Sequence, residues 1–147
     1  MKIVLDTNVI ISGIFWKGPS NEILRLIETR DDLHFVQSLE TYKELEEVIR
    51  RGKFAEIKTK RKLNIDTILE SIITICKFYH IPADTIEKAK SEVIIEDADD
   101  LKFLELAIEV EADFIISGDP HLLDIDKYRN IKIVKPREFL EKFLKED

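Results

Sequence analysis

The sequence predicts an α/β fold with a mainly parallel sheet covered by helices on both faces. Three features point there. Short apolar runs such as Ile3-Val4-Leu5 and Phe114-Ile115-Ile116 lack a polar face, as strands buried on both sides require. They alternate with longer segments whose apolar residues recur at helical spacing. Two runs lead into a carboxylate, Asp6 and Asp119, as expected of strands ending at the sheet edge where open α/β folds place ligand sites.

The elements follow in order. Lys2–Leu5 forms the first strand, and a short helix follows Asp6 to about Phe15, broken by Lys17-Gly18-Pro19. Ser20 or Asn21 caps the next helix, whose stripe is Ile23, Leu24 and Ile27. Residues 33–37 alternate weakly and read as the second strand. Ser38 then caps a helix carrying Leu39, Tyr42, Leu45 and Ile49 on one side and ending near Gly52. A short helix is expected over 53–60, and a strongly apolar one from Asn64 or Asp66 to about Tyr79, closed by Pro82. The pattern weakens over 83–95, where a helical turn at 87–90 and a short strand at 93–95 are the readings. Beyond lie a helix over 97–111, a strand over 113–117, a helical turn at 121–123 and a strand at Ile131–Val134. Pro136 then sits in the first turn of a C-terminal helix.

The length of 147 residues suits one domain spanning 1–147, and 4 Gly with 4 Pro leave little room for flexible linkers. The single cysteine, Cys76, lies in an apolar run and reads as a packing residue in a reducing compartment. No apolar stretch reaches membrane-spanning length and the N-terminus lacks a signal-peptide layout, so a cytoplasmic protein is expected. The net charge of −7 hides an uneven distribution. Between Arg50 and Lys62, the cations Arg50, Arg51, Lys53, Lys58, Lys60, Arg61 and Lys62 meet one acid, Glu56. Such a segment is either a phosphate-backbone footprint or a solvated helix face.

The acids divide the same way. Asp6 precedes a helix, so an N-cap explains it as well as a ligand role does. Asp119, between Gly118 and Pro120, repeats the strand-to-acid geometry but also suits a turn. Glu96-Asp97-Ala98-Asp99-Asp100 places four acids at a helix start, more than capping and the helix dipole need, and their repulsion invites a cation. Asp100 leads into Phe103, Leu104 and Ala107 beside the buried face. Glu44, one position from Leu45, borders a buried stripe, but spacing does not separate it from Glu46 and Glu47. Four carboxylates gathered at one point require a divalent cation. Other chemistries find little support. Cys76 lacks a partner, His34, His80 and His121 lack zinc spacing, and no glycine-rich phosphate motif is present.

Taken together, Leu5-Asp6-Thr7-Asn8-Val9, Glu44 in Glu44-Leu45-Glu46-Glu47-Val48-Ile49 with Lys53-Phe54, Asp97-Ala98-Asp99-Asp100 with Phe103-Leu104 and Ala107, and Ser117-Gly118-Asp119-Pro120-His121-Leu122-Leu123 resemble the PIN-domain nucleases. The tail Lys135-Pro136-Arg137-Glu138-Phe139-Leu140 resembles that family's closing segment. The likeness covers nearly the whole chain and is nearest to the stand-alone prokaryotic branch related to VapC-like toxins. It implies a three-layer α/β/α sandwich, PIN-like, whose sheet edge binds one or two Mg²⁺ or Mn²⁺ ions. The matching acids are Asp6, Glu44, Asp100 and Asp119, with Asp97 a further candidate because the acidic cluster leaves the register open. It further implies metal-dependent cleavage of RNA by an activated water, a toxin role with an antitoxin protein as partner, and homodimerisation. Thr7 and Asn8 would orient Asp6, and Ser117 or Thr7 would hydrogen-bond the reacting water. Arg51, Lys53, Lys58, Lys60 and Arg61 would hold the RNA backbone. Three rivals remain at this point. A haloacid-dehalogenase-like phosphatase needs a second acid two positions after Asp6, where Asn8 stands. A receiver domain needs paired acids after the first strand. A PIN scaffold that binds RNA or a protein without cutting would need none of these acids.

Overall fold

A computed structural model describes residues 1–93, 95 and 97–144, the Lys53 side chain excepted. The sheet comprises β1 (Lys2–Leu5), β2 (His34–Ser38), β3 (Cys76–Tyr79), β4 (Phe114–Ile116), β5 (Lys127–Tyr128) and β6 (Ile131–Val134). Among the described residues it is six-stranded, in the order β3-β2-β1-β4-β6-β5. Every neighbouring pair is parallel except β5 with β6. The chain lays β2 and β3 on one side of β1, then crosses to place β4 on the other. The crevice between β1 and β4 is therefore the topological switch point, where open α/β sheets take ligands.

Side-chain alternation divides the core into two layers. Ile3, Leu5, Phe35, Phe114 and Ile116 face one way. There they meet α1 (Thr7–Phe15), α2 (Pro19–Thr29), α3 (Leu39–Ile49), the flanking α4 (Ala55–Lys60) and α5 (Ile65–Ile75). Val4, Val36, Ile115, Ile131 and Ile133 face the other way, against α6 (Ala83–Glu92), α7 (Leu101–Val110) and α8 (Pro120–Leu123). This is the α/β/α sandwich with a mainly parallel sheet that the alternating sequence predicts. The chain closes with α9 (Pro136–Glu138), continued by a π-turn over Phe139–Phe143 that buries Phe139 under β4.

Several elements differ from the sequence reading. The apolar helix expected to run to Tyr79 stops at Ile75, and Cys76–Tyr79 is the edge strand β3, paired with Phe35–Ser38. The apolar run into Cys76 masks that boundary, because helix and strand both accept such a stretch. Over 83–92 a full helix replaces the expected turn. Its signal is weak because, of its residues, Ala89 alone is fully buried. The 93–95 strand reading includes Ile94 and lies outside the described residues. Gly18, at φ 151°, rather than Ser20 or Asn21, stands at the N-cap of α2, with Pro19 in the first turn. The Asn21 amide instead donates to the Gly13 carbonyl at 2.8 Å, tying α2 to α1. Leu39 is exposed rather than part of the α3 stripe. The short β5, with its antiparallel turn, has no clear sequence signal.

The α1–α2 approach depends on a glycine. A Cβ on Gly13 would stand 2.6 Å from Leu24 Cδ1 and 2.9 Å from the Ser20 carbonyl oxygen. The first contact can relax by side-chain rotation, whereas the second is backbone. Gly13→Ala is therefore expected to destabilise the fold by about 1–3 kcal/mol through overpacking, read as a lower urea midpoint at unchanged slope.

Candidate active site

The β1 and β4 strand ends lie side by side because Leu5 pairs with Ile116. The Asp6 N–H continues the ladder by donating to the Ile116 carbonyl at 3.1 Å, and the Ser117 N–H donates to Val134 at 2.9 Å. Register thus sets Asp6 against Ser117 at the C-terminal edge. Asp6 is almost fully buried and Ser117 wholly so. Asp6 Oδ1 accepts the Val9 N–H at 2.8 Å, capping α1, and Oδ2 accepts the Ser117 hydroxyl. The same Ser117 oxygen accepts the Asp119 N–H at 2.9 Å, and Asp119 Oδ1 accepts the His121 N–H at 2.9 Å, capping α8. Cap and cavity position therefore coincide for both aspartates. A carboxylate has about four acceptor sites, so capping leaves lone pairs available.

Glu44 reaches the same place from the middle of α3. Its Oε2 accepts the Thr7 hydroxyl and its Oε1 lies 3.2 Å from Lys102 Nζ. Asp100 ends the 3₁₀ turn Ala98–Asp100 that precedes α7. Its side chain is only 13% exposed, and Oδ2 is buried without a hydrogen-bond partner. The His121 Nδ1 is 3.9 Å from that oxygen. Burial is the main force raising the Asp100 carboxyl, with the neighbouring Asp119 and Asp97 carboxylates adding to it. His121 opposes the rise, and the carboxyl is pushed up to about 7. Burial also raises the Asp6 carboxyl, against the hydrogen bonds from Ser117 and Val9.

These groups surround a cavity of about 320 Å³, lined by Asp6, Thr7, Asn8, Glu44, Asp97, Asp99, Asp100 and Asp119 with Val48, Arg51 and Phe103. The structure thus brings together Asp6, Glu44, Asp97, Asp100 and Asp119. Asp97 is the most exposed of them and caps the 3₁₀ turn through the Asp99 N–H at 2.9 Å. Asp97, Asp100 and His121 each present a ligand atom within 4.8 Å of the others. A larger cleft of about 850 Å³, between α2 and the C-terminal segment, is lined by Lys17, Arg25, Arg137 and Leu140 among others. Because no group of carboxylates converges there, the smaller cavity is the candidate site.

Both hydroxyls near the acids are already engaged. Ser117 aligns Asp6 and Asp119, and Thr7 aligns Glu44, so neither is positioned chiefly to hold a water. Asn8 is exposed at the rim. The basic segment is only partly at the cavity. Arg51 lines it, 3.8 Å from Glu47. Lys58 donates to the Ile49 carbonyl at 3.3 Å and Arg61 to the Phe15 carbonyl, so these cations close the C-termini of α3 and α1. Lys60 pairs on the surface with Glu56 at 3.1 Å. The Lys53 side chain lies outside the described ones.

Two site residues escape the sequence reading. Lys102 is an ordinary lysine in a helical first turn, and only the approach of α3 to α7 gives it Glu44 as partner. His121 reads as a surface or capping residue until the β4 turn places its ring beside Asp100.

A parallel sheet with acids gathered at its switch point defines an α/β protein with a polyanionic cavity. A PIN domain model matches residues 2–121, and the chain belongs to the PIN domain family. Among solved structures, VapBC2 from Rickettsia felis, bound to a DNA fragment from their promoter, matches with a TM-score of 0.61 at 16% identity. That match covers 90% of this chain and 97% of the other. Mycobacterium tuberculosis VapC20, a sarcin-ricin loop cleaving toxin, matches with a TM-score of 0.55 at 13% identity, covering 88% and 98%. At these identities the likeness is one of fold. No curated protein matches the sequence. Among the described residues no helix is long and apolar enough to cross a membrane.

Proposed function

We propose that the chain is a divalent-metal-dependent endoribonuclease, a cytoplasmic toxin of the VapC kind that acts as a homodimer and is restrained by an antitoxin protein. The observation that carries this reading is the convergence of Asp6, Glu44, Asp100 and Asp119 on one cavity, with Asp100 Oδ2 buried and without a hydrogen-bond partner. An orphaned carboxylate oxygen among other acids is costly unless a cation fills the space. The donors are carboxylate oxygens, which suit Mg²⁺ or Mn²⁺ rather than softer metals. Asp6, Asp100 and Asp119 would hold the metal, and Asp97 and His121 each offer a further ligand atom within 4.8 Å of that of Asp100. When bound, it would supply positive charge against the scissile phosphate and a more acidic water.

The chain's own residues prepare that chemistry. The Val9 N–H and the Ser117 hydroxyl fix both oxygens of Asp6, so the acid is aligned before substrate arrives. Ser117 also fixes the Asp119 backbone, coupling the two strand-end acids through one buried hydroxyl. Arg51 at the cavity wall is placed to receive a backbone phosphate, a contact that positions RNA without reading its sequence. The VapC-type fold of the solved neighbours supports the toxin and antitoxin parts of the reading. The phosphatase alternative lacks its second acid, because Asn8 stands at the cavity rim.

The reading is tested by incubating purified, partner-free protein with single-stranded RNA and DNA in Mn²⁺, Mg²⁺ or EDTA. Cleavage of RNA that EDTA abolishes is expected, and the absence of cleavage with either metal would overturn it. Ser117→Ala removes the hydroxyl shared by Asp6 and Asp119. It is expected to weaken Mn²⁺ binding by about 10–100-fold, measured by titration calorimetry.

A further inference from the structure

We propose that Lys102 is a built-in counter-ion of Glu44 at the edge of the site. Its ammonium holds Glu44 where a second divalent ion would otherwise sit, so that the chain binds one ion, through Asp6, Asp100 and Asp119. The inference rests on the metal-site reading above and gives it a stoichiometry.

The two ends of the cavity are provided for differently. At one end Glu44 has a charged donor, the Lys102 ammonium at 3.2 Å on Oε1, besides the Thr7 hydroxyl on Oε2. At the other end Asp6 and Asp119 accept from neutral N–H and O–H groups, and Asp100 Oδ2 has no hydrogen-bond partner. The Lys102–Glu44 pair is also well withdrawn from solvent, with side chains 22% and 25% exposed, so salt screens it less than a surface pair. Its partners come from helices on opposite faces of the sheet, Glu44 from α3 and Lys102 from the first turn of α7. A divalent ion on Glu44 would sit against that positive charge, and the repulsion opposes it. An ion among Asp6, Asp100 and Asp119 meets carboxylates instead, aligned from behind by Ser117.

Lys102 is thus a positioning residue that acts through Glu44, and the decisive readout is ion count rather than cleavage. Mn²⁺ stoichiometry is measured on the full chain by titration calorimetry, with electron paramagnetic resonance to detect spin-coupled ion pairs. The wild type and Lys102→Arg are expected to bind one Mn²⁺ per chain. Lys102→Met is expected to bind two, with spin coupling, and Lys102→Met combined with Glu44→Gln to return to one. Lys102→Gln keeps a donor to Glu44 but no charge, and must also give two. Two ions in the wild type, or one in either uncharged variant, would overturn the proposal while leaving the metal site standing. No bound Mn²⁺ in the wild type would remove the metal-site reading and this proposal with it.

Discussion

Asp6→Asn is expected to lower Mn²⁺-dependent RNA cleavage by about 10²–10³-fold or more, the loss seen when one preorganised charge-stabilising group is removed. The fold should persist. Asparagine caps a helix as well as aspartate does, so the Val9 N–H keeps its acceptor. Ser117, which now donates to Asp6 Oδ2, can accept from the new amide instead. Without metal the variant should melt higher than the wild type, because a buried carboxylate beside Asp119 has been neutralised. Lost cleavage together with a raised metal-free melting temperature separates a functional acid from a merely structural cap. A variant that melts lower and cuts normally would mark Asp6 as a cap alone.

The second large effect is on stability, through Asp100. Its carboxyl is raised from 3.8 to about 7, so the folded chain binds this proton more tightly than the unfolded chain. Stability therefore falls as pH rises wherever the folded state alone keeps the proton, here from about pH 4 to about pH 7, and the full penalty stands above that. The raised Asp6 carboxyl works in the same direction. In EDTA, the melting temperature of the wild type relative to Asp100→Asn should decline across this window. Mn²⁺ should reverse the trend, because it binds the ionised carboxylates and competes with the proton. At a metal concentration a hundredfold above Kd the gain is about 2.7 kcal/mol, and it should be larger at pH 8 than at pH 5. Equal Mn²⁺ shifts at both pH values would show that Asp100 plays no part in binding.

Much of the fold was legible because strands buried on both faces leave a distinct trace. Ile3-Val4-Leu5 and Phe114-Ile115-Ile116 are apolar at every position, and both core layers use them. Edge strands leave less. Lys77 and Phe78 face solvent in β3, and the apolar residues before Cys76 belong to a helix, so nothing local marks the change. Asp6 and Asp119 were readable as strand-end acids, but their two possible roles were indistinguishable until the hydrogen bonds showed one side chain serving both. Glu44 was singled out by resemblance, since its distinction from Glu46 and Glu47 depends on where Thr7 and Lys102 lie. The basic segment misleads in the opposite direction. Its charge suggests a continuous phosphate track, yet Lys58 and Arg61 satisfy helix-end carbonyls, a need that charge counting does not register.

The central claim is that the acids at the β1–β4 crevice form a divalent-metal site. Anomalous diffraction from crystals soaked in Mn²⁺, collected near the manganese edge, tests it most directly. A peak bounded by Asp6, Asp100 and Asp119 is expected, and it should be missing from Asp6→Asn crystals. A peak confined to the exposed Asp97 and Asp99, or none at all, would contradict it.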